Sequence, residues 1–280
     1  MATFPLPDID LAGRVVIMTG GDRGLGRSMA LAQAACGASL VIASTDQEGC
    51  ARAADEINAI DGAARAIARP TDITDLGACR ALVANTLDTL GRLDGLFNNA
   101  RRLMRGPGLP PSGNSLPLWE TDPEIWRETI IVNVVGTFFM ARAAVEHFRE
   151  VGAGKIVNVS TSRRNFSGAR NSPYGVSKAA VESEALIWAR DLEGSGITVN
   201  TLLPGGASDT DPTRPKKEGQ VLLPVDIMDP LAVWLAGTGS DGKTGGRFVG
   251  KLWDPALPPS EAADGAREEP TFAEQVPPAG

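Results

Sequence analysis

Short apolar runs alternate with longer amphipathic segments along most of the chain. The apolar runs that are typical of buried strands cover residues 14–19, 39–44, 65–69, 94–98, 155–160 and 197–202, with a weaker one at 247–249. Segments with helical spacing lie between most of them, at 46–60, 76–90, 123–148 and 174–192. This alternation predicts an α/β fold in one domain, a doubly wound parallel sheet with helices on both faces. Ligands bind such sheets beyond the carboxyl ends of the strands.

A glycine-rich turn follows the first predicted strand. Gly20, Gly24 and Gly26 lie in it, and helical spacing begins at Leu25. The start of a helix presents free N–H groups and a partial positive charge, and glycines let a pyrophosphate approach the backbone without meeting a Cβ. The GxxxGxG spacing differs from the common GxGxxG, and by itself it also fits a plain tight turn.

Size and charge limit the classes of function. A chain of 280 residues with 42% hydrophobic content can bury one full core. The 27 basic and 34 acidic residues give a net charge of -7, which argues against a nucleic-acid partner because no excess of cations can neutralise phosphates.

The cysteines and the histidine argue against disulfide and metal sites. Three widely spaced cysteines fit neither a disulfide framework nor a zinc site, and a single histidine gives little support to a metal-dependent or Ser-His mechanism. The first residues lack the features of a signal peptide, and no apolar run approaches the ~20 residues of a membrane span. We therefore expect a soluble cytoplasmic protein with no membrane partner.

A tyrosine and a lysine stand four residues apart at the start of the helix predicted at 174–192. Tyr174 and Lys178 therefore share one helical face. A phenol has a pKa of about 10, and a neighbouring ammonium favours the phenolate, which brings the phenol into the range of acid–base catalysis. The spacing alone is common in surface pairs.

The motifs acquire meaning through their order along the chain. Thr19-Gly20 with Gly24 and Gly26, then Asn98-Asn99-Ala100, Asn133 within an apolar helix, and Tyr174 with Lys178 together resemble the short-chain dehydrogenase/reductase family over residues 10–250. The resemblance implies a Rossmann-type fold and hydride transfer between a secondary alcohol and a carbonyl compound. It assigns Tyr174 as the acid and base, Lys178 as the group that lowers the pKa of Tyr174 and holds the nicotinamide ribose, and Asn133 as part of a proton relay.

The resemblance also implies a set of cofactor contacts. These are Gly20, Arg23, Gly24, Leu25, Gly26, Ser44, Thr45, Asp72, Ile73, Asn99, Ala100, Tyr174, Lys178, Pro204, Gly205 and Thr210. Enzymes that prefer NAD usually carry an acid where this chain has Ser44, and this difference together with Arg23 favours NADP(H). NAD(H) stays open, since Arg23 also fits a solvated turn residue.

Two positions depart from the family pattern. Arg101 replaces the glycine that usually follows Asn-Asn-Ala, which puts the local backbone path in doubt. The hydroxyl that orients the substrate falls on Thr161, where the family normally has serine. A threonine hydroxyl donates the same hydrogen bond, and we predict Thr161 first and Ser162 second.

Five arginines follow the fourth and fifth predicted strands, namely Arg101, Arg102, Arg105, Arg163 and Arg164. Both loops border the substrate cleft in this topology, and arginine binds carboxylates and phosphates bidentately. A small anionic carbonyl or alcohol substrate is therefore one hypothesis. Solvated loop arginines, or pairs across a subunit interface, are the other.

Proline-rich stretches mark the remaining segments. We expect an extended loop at 101–117 and a short irregular segment around Pro212, Pro215 and Pro224. We place the domain at 1–253 and interpret 254–280 as a disordered tail because it has few apolar anchors.

The family likeness implies a homo-oligomer, dimer or tetramer. A nucleotide-binding regulator that senses redox state without turnover is the alternative function; the glycine spacing disfavours isomerase or dehydratase chemistry.

Overall fold

The predicted strands form one sheet. The computed structural model describes residues 5–60, 65–103, 116–210 and 221–272. The strands are β1 (Val15–Thr19), β2 (Ser39–Ala43), β3 (Ala66–Ala68), β4 (Gly95–Asn98), β5 (Gly154–Val159), β6 (Ile197–Leu203), β7 (Arg247–Val249) and β8 (Arg267–Glu268). Their order in the sheet is β3-β2-β1-β4-β5-β6-β7-β8. Strands β1 to β7 pair in parallel and β8 is antiparallel to β7, which confirms the doubly wound arrangement.

Helices cover both faces of the sheet. They are α1 (Gly24–Ala35), α2 (Gln47–Asn58), α3 (Leu76–Leu90), α4 (Pro123–Ile130), α5 (Gly136–Val151), α6 (Arg164–Ser167), α7 (Tyr174–Asp191), α8 (Asp229–Ala236) and α9 (Pro259–Gly265). Side chains of α1, α2, α8 and α9 form one apolar cluster, and those of α3, α5 and α7 form the other. Strand β1 shows why the apolar runs are continuous, because Met18 enters the first cluster and Ile17 the second.

Polar caps and glycines set the helix boundaries. The side chains of Asp46, Asp75 and Asp122 accept hydrogen bonds from backbone N–H groups in the first turns of α2, α3 and α4. Helices α3 and α5 end at Gly91 and Gly152, both left-handed, a conformation that favours glycine. These short-range signals explain why the predicted helix boundaries lie close to the observed ones.

The long helical run from Pro123 to Val151 contains a π-helical turn, Ile131–Val135, between α4 and α5. By length and composition the run is apolar enough to cross a membrane, contrary to our expectation from the sequence, although core helices of soluble proteins share this property. Here Met140, Ala144 and Phe148 are buried in the cluster shared with α3 and α7. Packing inside the protein accounts for the apolar character of α5.

The C-terminal segment is ordered as far as the structure describes it. We expected a disordered tail from residue 254, but α9 and β8 lie within it and continue the fold past residue 253. Helix α9 buries Ala262 and Ala263 in the cluster that contains Trp234, and β8 pairs with β7 through its backbone. Alanines and backbone pairing give no strong hydropathy signal, and the sequence pattern therefore did not predict α9 and β8.

Several predictions for loops fall outside the described residues. Most of the loop expected at 101–117 does, with Arg105, and so do Pro212 and Pro215 of the irregular segment. At its described ends that segment is held by a bridge between Ser208 and Leu223.

Candidate active site

A cleft of about 820 Å³ opens at the carboxyl ends of the first strands of the sheet. Most of the residues predicted to contact a cofactor line it, namely Gly20, Arg23, Gly24, Leu25, Gly26, Ser44, Thr45, Asp72, Ile73, Asn99, Ala100 and Thr210. Tyr174, Lys178, Pro204 and Gly205 do not line this cleft. Parallel strands and the start of α1 thus bring the dispersed motifs together at the edge where such sheets bind ligands.

Two glycines of the turn between β1 and α1, Gly20 and Gly26, have no room for a side chain. Gly20 adopts φ +62°, and a Cβ on Gly26 would lie 2.2 Å from the Gly20 carbonyl oxygen and 2.3 Å from Asn99 Nδ2. Gly24 has φ +55° and a Cβ there would contact Thr210. The start of α1 therefore lines the cleft with no Cβ on Gly24 or Gly26. A helix start of this kind fits the pyrophosphate of a dinucleotide, because its first N–H groups have no partner within the helix.

Asn99 and Thr19 hold this turn against the end of β4. Asn99 Nδ2 donates to the carbonyl oxygens of Thr19 (3.0 Å) and Gly20 (2.9 Å). The Thr19 hydroxyl accepts from the backbone N–H groups of Asn99 (3.0 Å) and Ala100 (3.1 Å), and it donates to the Phe97 carbonyl. Both side chains are buried, so their hydrogen bonds are strong constraints on the turn.

A carboxylate that our sequence reasoning missed lies in the same turn. The Asp22 side chain is only 4% exposed, and its Oδ2 lies 3.6 Å from Nε of Arg23, whose side chain is 82% exposed. Asp22 lines the cleft with Ser44 and Thr45 at the end of β2. The expectation of an acid concerned only the position after β2, which Ser44 occupies, whereas this carboxylate belongs to the turn after β1.

Asp72 and Ile73 follow β3 and border the cleft. The Asp72 carboxylate accepts from the backbone N–H (2.9 Å) and the hydroxyl (2.8 Å) of Thr74. Ile73 is buried and faces Gly136, where a Cβ would lie 2.7 Å from the isoleucine side chain. Asp72 therefore fixes its own loop, while Ile73 packs the cleft wall onto α5.

Asn133 lies in the π-helical turn and is fully buried. Its Oδ1 accepts from the backbone N–H of Arg102 (2.7 Å), and its Nδ2 donates to the Arg102 carbonyl and the Ser177 hydroxyl, both at 3.1 Å. One amide thus fixes the chain after β4 and links it to α7. This gives Asn133 the polar partners that a buried amide requires.

Lys178 is 2% exposed, and its Nζ donates to the carbonyl of Val159 at 2.6 Å, at the end of β5. Burial first, and the nearby Arg101 guanidinium second, lower the pKa of Lys178 to about 7, against the opposing effect of Glu182. The protonation of a lysine with a pKa lowered in this way changes with small changes in the surrounding charge.

Tyr174 is the first residue of α7 and is partly buried. Among the residues that the structure describes, its hydroxyl makes no hydrogen bond to the protein. Its neighbour Gly175 packs so closely that a Cβ would lie 2.1 Å from the carbonyl oxygen of Asn165. The start of α7 is thereby held against the loop that follows β5.

Three hydroxyl residues, Ser160, Thr161 and Ser162, follow β5 directly. The Thr161 hydroxyl accepts from Asn165 Nδ2 at 2.6 Å, which leaves its proton available to a ligand. Ser162 accepts from the Asn165 backbone through its carbonyl, whereas the Ser160 hydroxyl is buried without a hydrogen-bond partner in the described parts of the chain. Thr161 and Ser162 both stay candidates.

The loop arginines do not converge as a group. Arg102 pairs with Glu128 (2.5 Å), and Arg163 donates to the Glu269 carbonyl of the C-terminal segment. Arg164 is exposed and does not line the cleft, and Arg105 lies outside the described residues. Arg101 lines the cleft and is near enough to Lys178 to influence its pKa. Of the four loop arginines that the structure describes, Arg101 and Arg102 line the cleft, and Arg102 already has a carboxylate partner. The hypothesis that all five guanidinium groups converge there is therefore corrected, since Arg163 and Arg164 do not line the cleft.

The turn after β6 lies apart from the cleft. Gly205 has φ +90°, and a Cβ there would lie 2.6 Å from the Lys251 side chain; the Pro204 carbonyl accepts from the Lys251 backbone (3.1 Å). Within the described ranges, no three His, Cys, Asp or Glu side chains are grouped to hold a metal ion.

Comparison with known proteins agrees with the geometry. A sequence model described as short chain dehydrogenase matches residues 14–221. Fluoren-9-ol dehydrogenase from Terrabacter is 31% identical over 265 residues, which cover 88% of this chain and 72% of the relative. L-fucose dehydrogenase from Oryctolagus cuniculus is 31% identical over 227 residues, covering 78% and 74%.

A solved structure has the same fold. The short-chain type dehydrogenase/reductase from Mycobacterium ulcerans superposes with a TM-score of 0.77 over 97% of this chain and 96% of that one. At 24% sequence identity this likeness concerns the fold alone.

The lack of space at Gly26 leads to a first prediction. Gly26→Ala is expected to destabilise the protein by about 1–3 kcal/mol and to weaken dinucleotide binding by roughly 10-fold or more, because the added Cβ must displace backbone and Asn99. Thermal unfolding and titration with a reduced dinucleotide measure the two effects. Gly265→Ala in α9 is the control, since a Cβ there meets no atom within 4 Å. Equal behaviour of the two variants would show that the turn is not a cofactor cradle.

Proposed function

The chain belongs to the short-chain dehydrogenase family, and we propose that it interconverts a secondary alcohol and a carbonyl compound with Tyr174 as the acid and base. The observation that carries the proposal is the glycine turn at the cleft, where Gly26 leaves no space for a Cβ. The glycine turn, Ser44 and Asp72 would hold the dinucleotide, whose nicotinamide supplies or accepts the hydride. Relatives named as dehydrogenases of alcohols support the same class of reaction.

Proton transfer is the task of α7 in this proposal. In reduction the Tyr174 hydroxyl gives its proton to the substrate oxygen, and in oxidation the phenolate takes it back. Lys178 shares the helical face of Tyr174, so its ammonium would stabilise the negative charge that the phenolate carries during the reaction. The hydroxyl of Thr161, oriented by Asn165, donates to the substrate oxygen, with Ser162 as the second candidate.

Asn133 is proposed to keep the proton relay in place. Its side chain links Arg102 after β4 to Ser177 in α7, the turn of helix that also carries Tyr174 and Lys178. A relay requires donors and acceptors at fixed positions, and this buried amide fixes two of the segments around the site.

We propose NADP(H) as the preferred cofactor, with NAD(H) as a weaker substrate. Ser44 has no charge to repel a 2′-phosphate, and Arg23 is exposed beside it at the cleft. Asp22 works in the opposite direction, because its carboxylate lies in the same corner and pairs with Arg23. The preference therefore depends on the balance between these two neighbouring charges.

We propose that the substrate is a small molecule, and that an anionic group on it would be recognised by Arg101. Within the described residues Arg101 has no carboxylate partner, and it lies at the cleft near Lys178. A buried lysine whose ammonium is destabilised by a second cation gains from a nearby anion. An acidic carbonyl compound would supply that anion.

A homo-oligomer, dimer or tetramer, is proposed from the surfaces of α5 and α7. Phe138 and Ile187 are 42% and 51% exposed, and Phe138 lies 6.4 Å from the ring of Trp188. Exposed aromatic clusters of this kind favour contact with another protein surface. The mass of the protein in solution, measured by light scattering, tests this assembly.

We propose a cytoplasmic location. All three cysteines are free, and burial raises the pKa of Cys50 to about 11 and of Cys79 to about 12. Thiols with a raised pKa are mostly protonated and therefore poor nucleophiles. Cysteines that form no disulfide are typical of a reducing compartment. Activity found in a periplasmic or secreted fraction would contradict this location.

A nucleotide-binding regulator without turnover is the second candidate function. It is favoured by one observation, namely that Tyr174 does not line the described cleft. Such a regulator binds a dinucleotide but oxidises no reduced cofactor with any member of a broad carbonyl panel, which separates it from an enzyme.

The acid–base role gives the second prediction. Tyr174→Phe is expected to lower kcat by about 10²–10⁴-fold while leaving dinucleotide affinity unchanged, since the phenyl ring keeps the packing and loses the proton. Thr161→Ala should lower kcat strongly and Ser162→Ala weakly. The absorbance of the reduced nicotinamide measures turnover. Full activity of Tyr174→Phe would disprove the mechanism, and the reverse order of the two hydroxyl variants would assign the role to Ser162.

Cofactor preference gives the third prediction. Arg23→Ala is expected to raise the KM for NADPH by roughly 10-fold and to change the KM for NADH little, because only NADPH carries the 2′-phosphate. Asp22→Asn should lower the KM for NADPH, as it removes a repelling charge. Steady-state kinetics with both cofactors tests the pair. A clear NADH preference in the unchanged protein would refute the proposal.

The charge near Lys178 gives the fourth prediction. Arg101→Gly is expected to raise the pKa of Lys178, because it removes a cation that lowers it. The ammonium is required for activity and is lost as pH rises, so the alkaline fall of kcat/KM for reduction should move to higher pH. The variant should also lose any preference for anionic over neutral carbonyl compounds. Unchanged pH profiles and an unchanged preference would exclude a role for Arg101.

A further inference from the structure

A buried arginine lies behind the end of β5, outside the cofactor cleft. Arg247 of β7 is 3% exposed, and its Nε donates to both carboxylate oxygens of Glu182, at 3.0 and 3.1 Å. Its Nη1 pairs with Glu268 of β8. The Glu182 side chain is also 3% exposed, so this ion pair is almost completely removed from water.

The remaining nitrogen of this arginine contacts the segment Ser160–Ser162 after β5, which we call the catalytic loop. Arg247 Nη2 donates to the carbonyl oxygen of Thr161 at 3.0 Å. Two residues earlier the carbonyl of Val159 accepts from Lys178 Nζ at 2.6 Å. Two buried cations from different elements therefore hold the main chain on either side of Ser160.

Helix α7 connects these two contacts. Tyr174, Lys178 and Glu182 follow one another at intervals of four residues and share one face of the helix. Lys178 attaches this face to β5 directly, and Glu182 attaches it through Arg247. The distance between the phenol of Tyr174 and the hydroxyl of Thr161 is thus controlled by two separate links.

The C-terminal segment supplies the outer part of the cluster. Glu268 holds Arg247, and the Thr271 hydroxyl donates to Glu182. Arg163, two residues after Thr161, donates to the Glu269 carbonyl. The segment that the sequence led us to interpret as a disordered tail therefore contacts both sides of the catalytic loop.

We propose that Arg247 is a positioning residue, which holds the Thr161 backbone so that the Thr161 hydroxyl meets the substrate oxygen. We propose further that Glu268 of β8 contributes by holding the guanidinium of Arg247 in place. The proposal rests on the proposed function, because it assigns a role relative to Thr161. Arg247 itself touches neither the cleft nor Tyr174.

The arginine fork suits this task better than a lysine would. Its Nε binds the Glu182 carboxylate, and its Nη1 and Nη2 still bind Glu268 and the Thr161 carbonyl. The three nitrogens are fixed relative to one another by the planar guanidinium, unlike the donors of an ammonium. Three simultaneous contacts fix the guanidinium, and a fixed guanidinium fixes the carbonyl that it binds. The Thr161 hydroxyl, held from its other side by Asn165, has little freedom left.

The test compares turnover and binding in matched variants of the full chain. Arg247→Met is expected to lower kcat by roughly 10–100-fold, because small displacements of orienting groups cost this much. The affinity for the reduced dinucleotide, measured by its fluorescence, should stay within about 2-fold. Glu268→Gln, which keeps the Arg247–Glu182 pair, should show a smaller loss of kcat of about 3–10-fold. Asp264→Asn is the control, since it removes the Lys243–Asp264 pair of the same C-terminal region without contact to Thr161.

A double-mutant cycle with Thr161→Ala distinguishes positioning from general support of the fold. If Arg247 acts through Thr161, Arg247→Met should change kcat by less than about 2-fold once the hydroxyl is absent. Single-turnover measurements with enzyme in excess keep the slow variants measurable. An equal loss in both backgrounds, or a loss in Glu268→Gln no larger than in Asp264→Asn, would overturn the proposal. Full activity of Thr161→Ala alone would instead refute the assignment of Thr161 in the proposed function.

Discussion

The close approach of the glycine turn to the end of β4 is the constraint on which the rest of the site depends. A single amide, that of Asn99, binds two successive carbonyls of the turn, and Gly26 packs against the same amide with no space for a Cβ. Since β1 and β4 are adjacent strands, this contact fixes the start of α1 relative to the sheet. It also sets where the chain after β4 begins, and Asn133 then holds that chain at Arg102.

A second constraint lies between β5 and α7, and it is made of buried charge. Lys178 and Arg247 are both almost inaccessible to water, and each donates to a carbonyl at the end of β5. Buried cations are costly unless they are paired and hydrogen bonded. Arg247 has two carboxylates for this purpose, whereas Lys178 has a carbonyl and a depressed pKa. The permanently charged Arg247 therefore lies outside the cleft, whereas Lys178, whose charge can titrate, follows the candidate acid Tyr174 by one helical turn.

The strands, the main helices and the glycine turn were predictable because their signals are local. Apolar runs, aspartate caps and the glycine spacing each act within a few residues; Asp122, for example, caps α4 directly before Pro123, the first residue of the helix. The site beyond the cofactor motif was harder to predict. Arg247, Glu182 and Glu268 are separated widely along the chain, and no spacing rule brings them together. The prediction of a disordered tail was wrong for a related reason, since the alanines of α9 are buried but give the sequence little hydropathy contrast. Asp22 was missed because the sequence rule for an acid concerns the position after β2, which Ser44 occupies, and Asp22 reaches the same corner from the turn after β1.

Cross-strand register places Arg247 beside Thr201 of β6 and Glu268 of β8, at the edge of the sheet. Glu182 and Arg247 are both 3% exposed, so replacing Arg247 alone would leave the Glu182 carboxylate in the interior without its cation. Among relatives of this chain the two should be inherited together: an arginine at this place in β7 with an acid at the place of Glu182, or neutral residues at both.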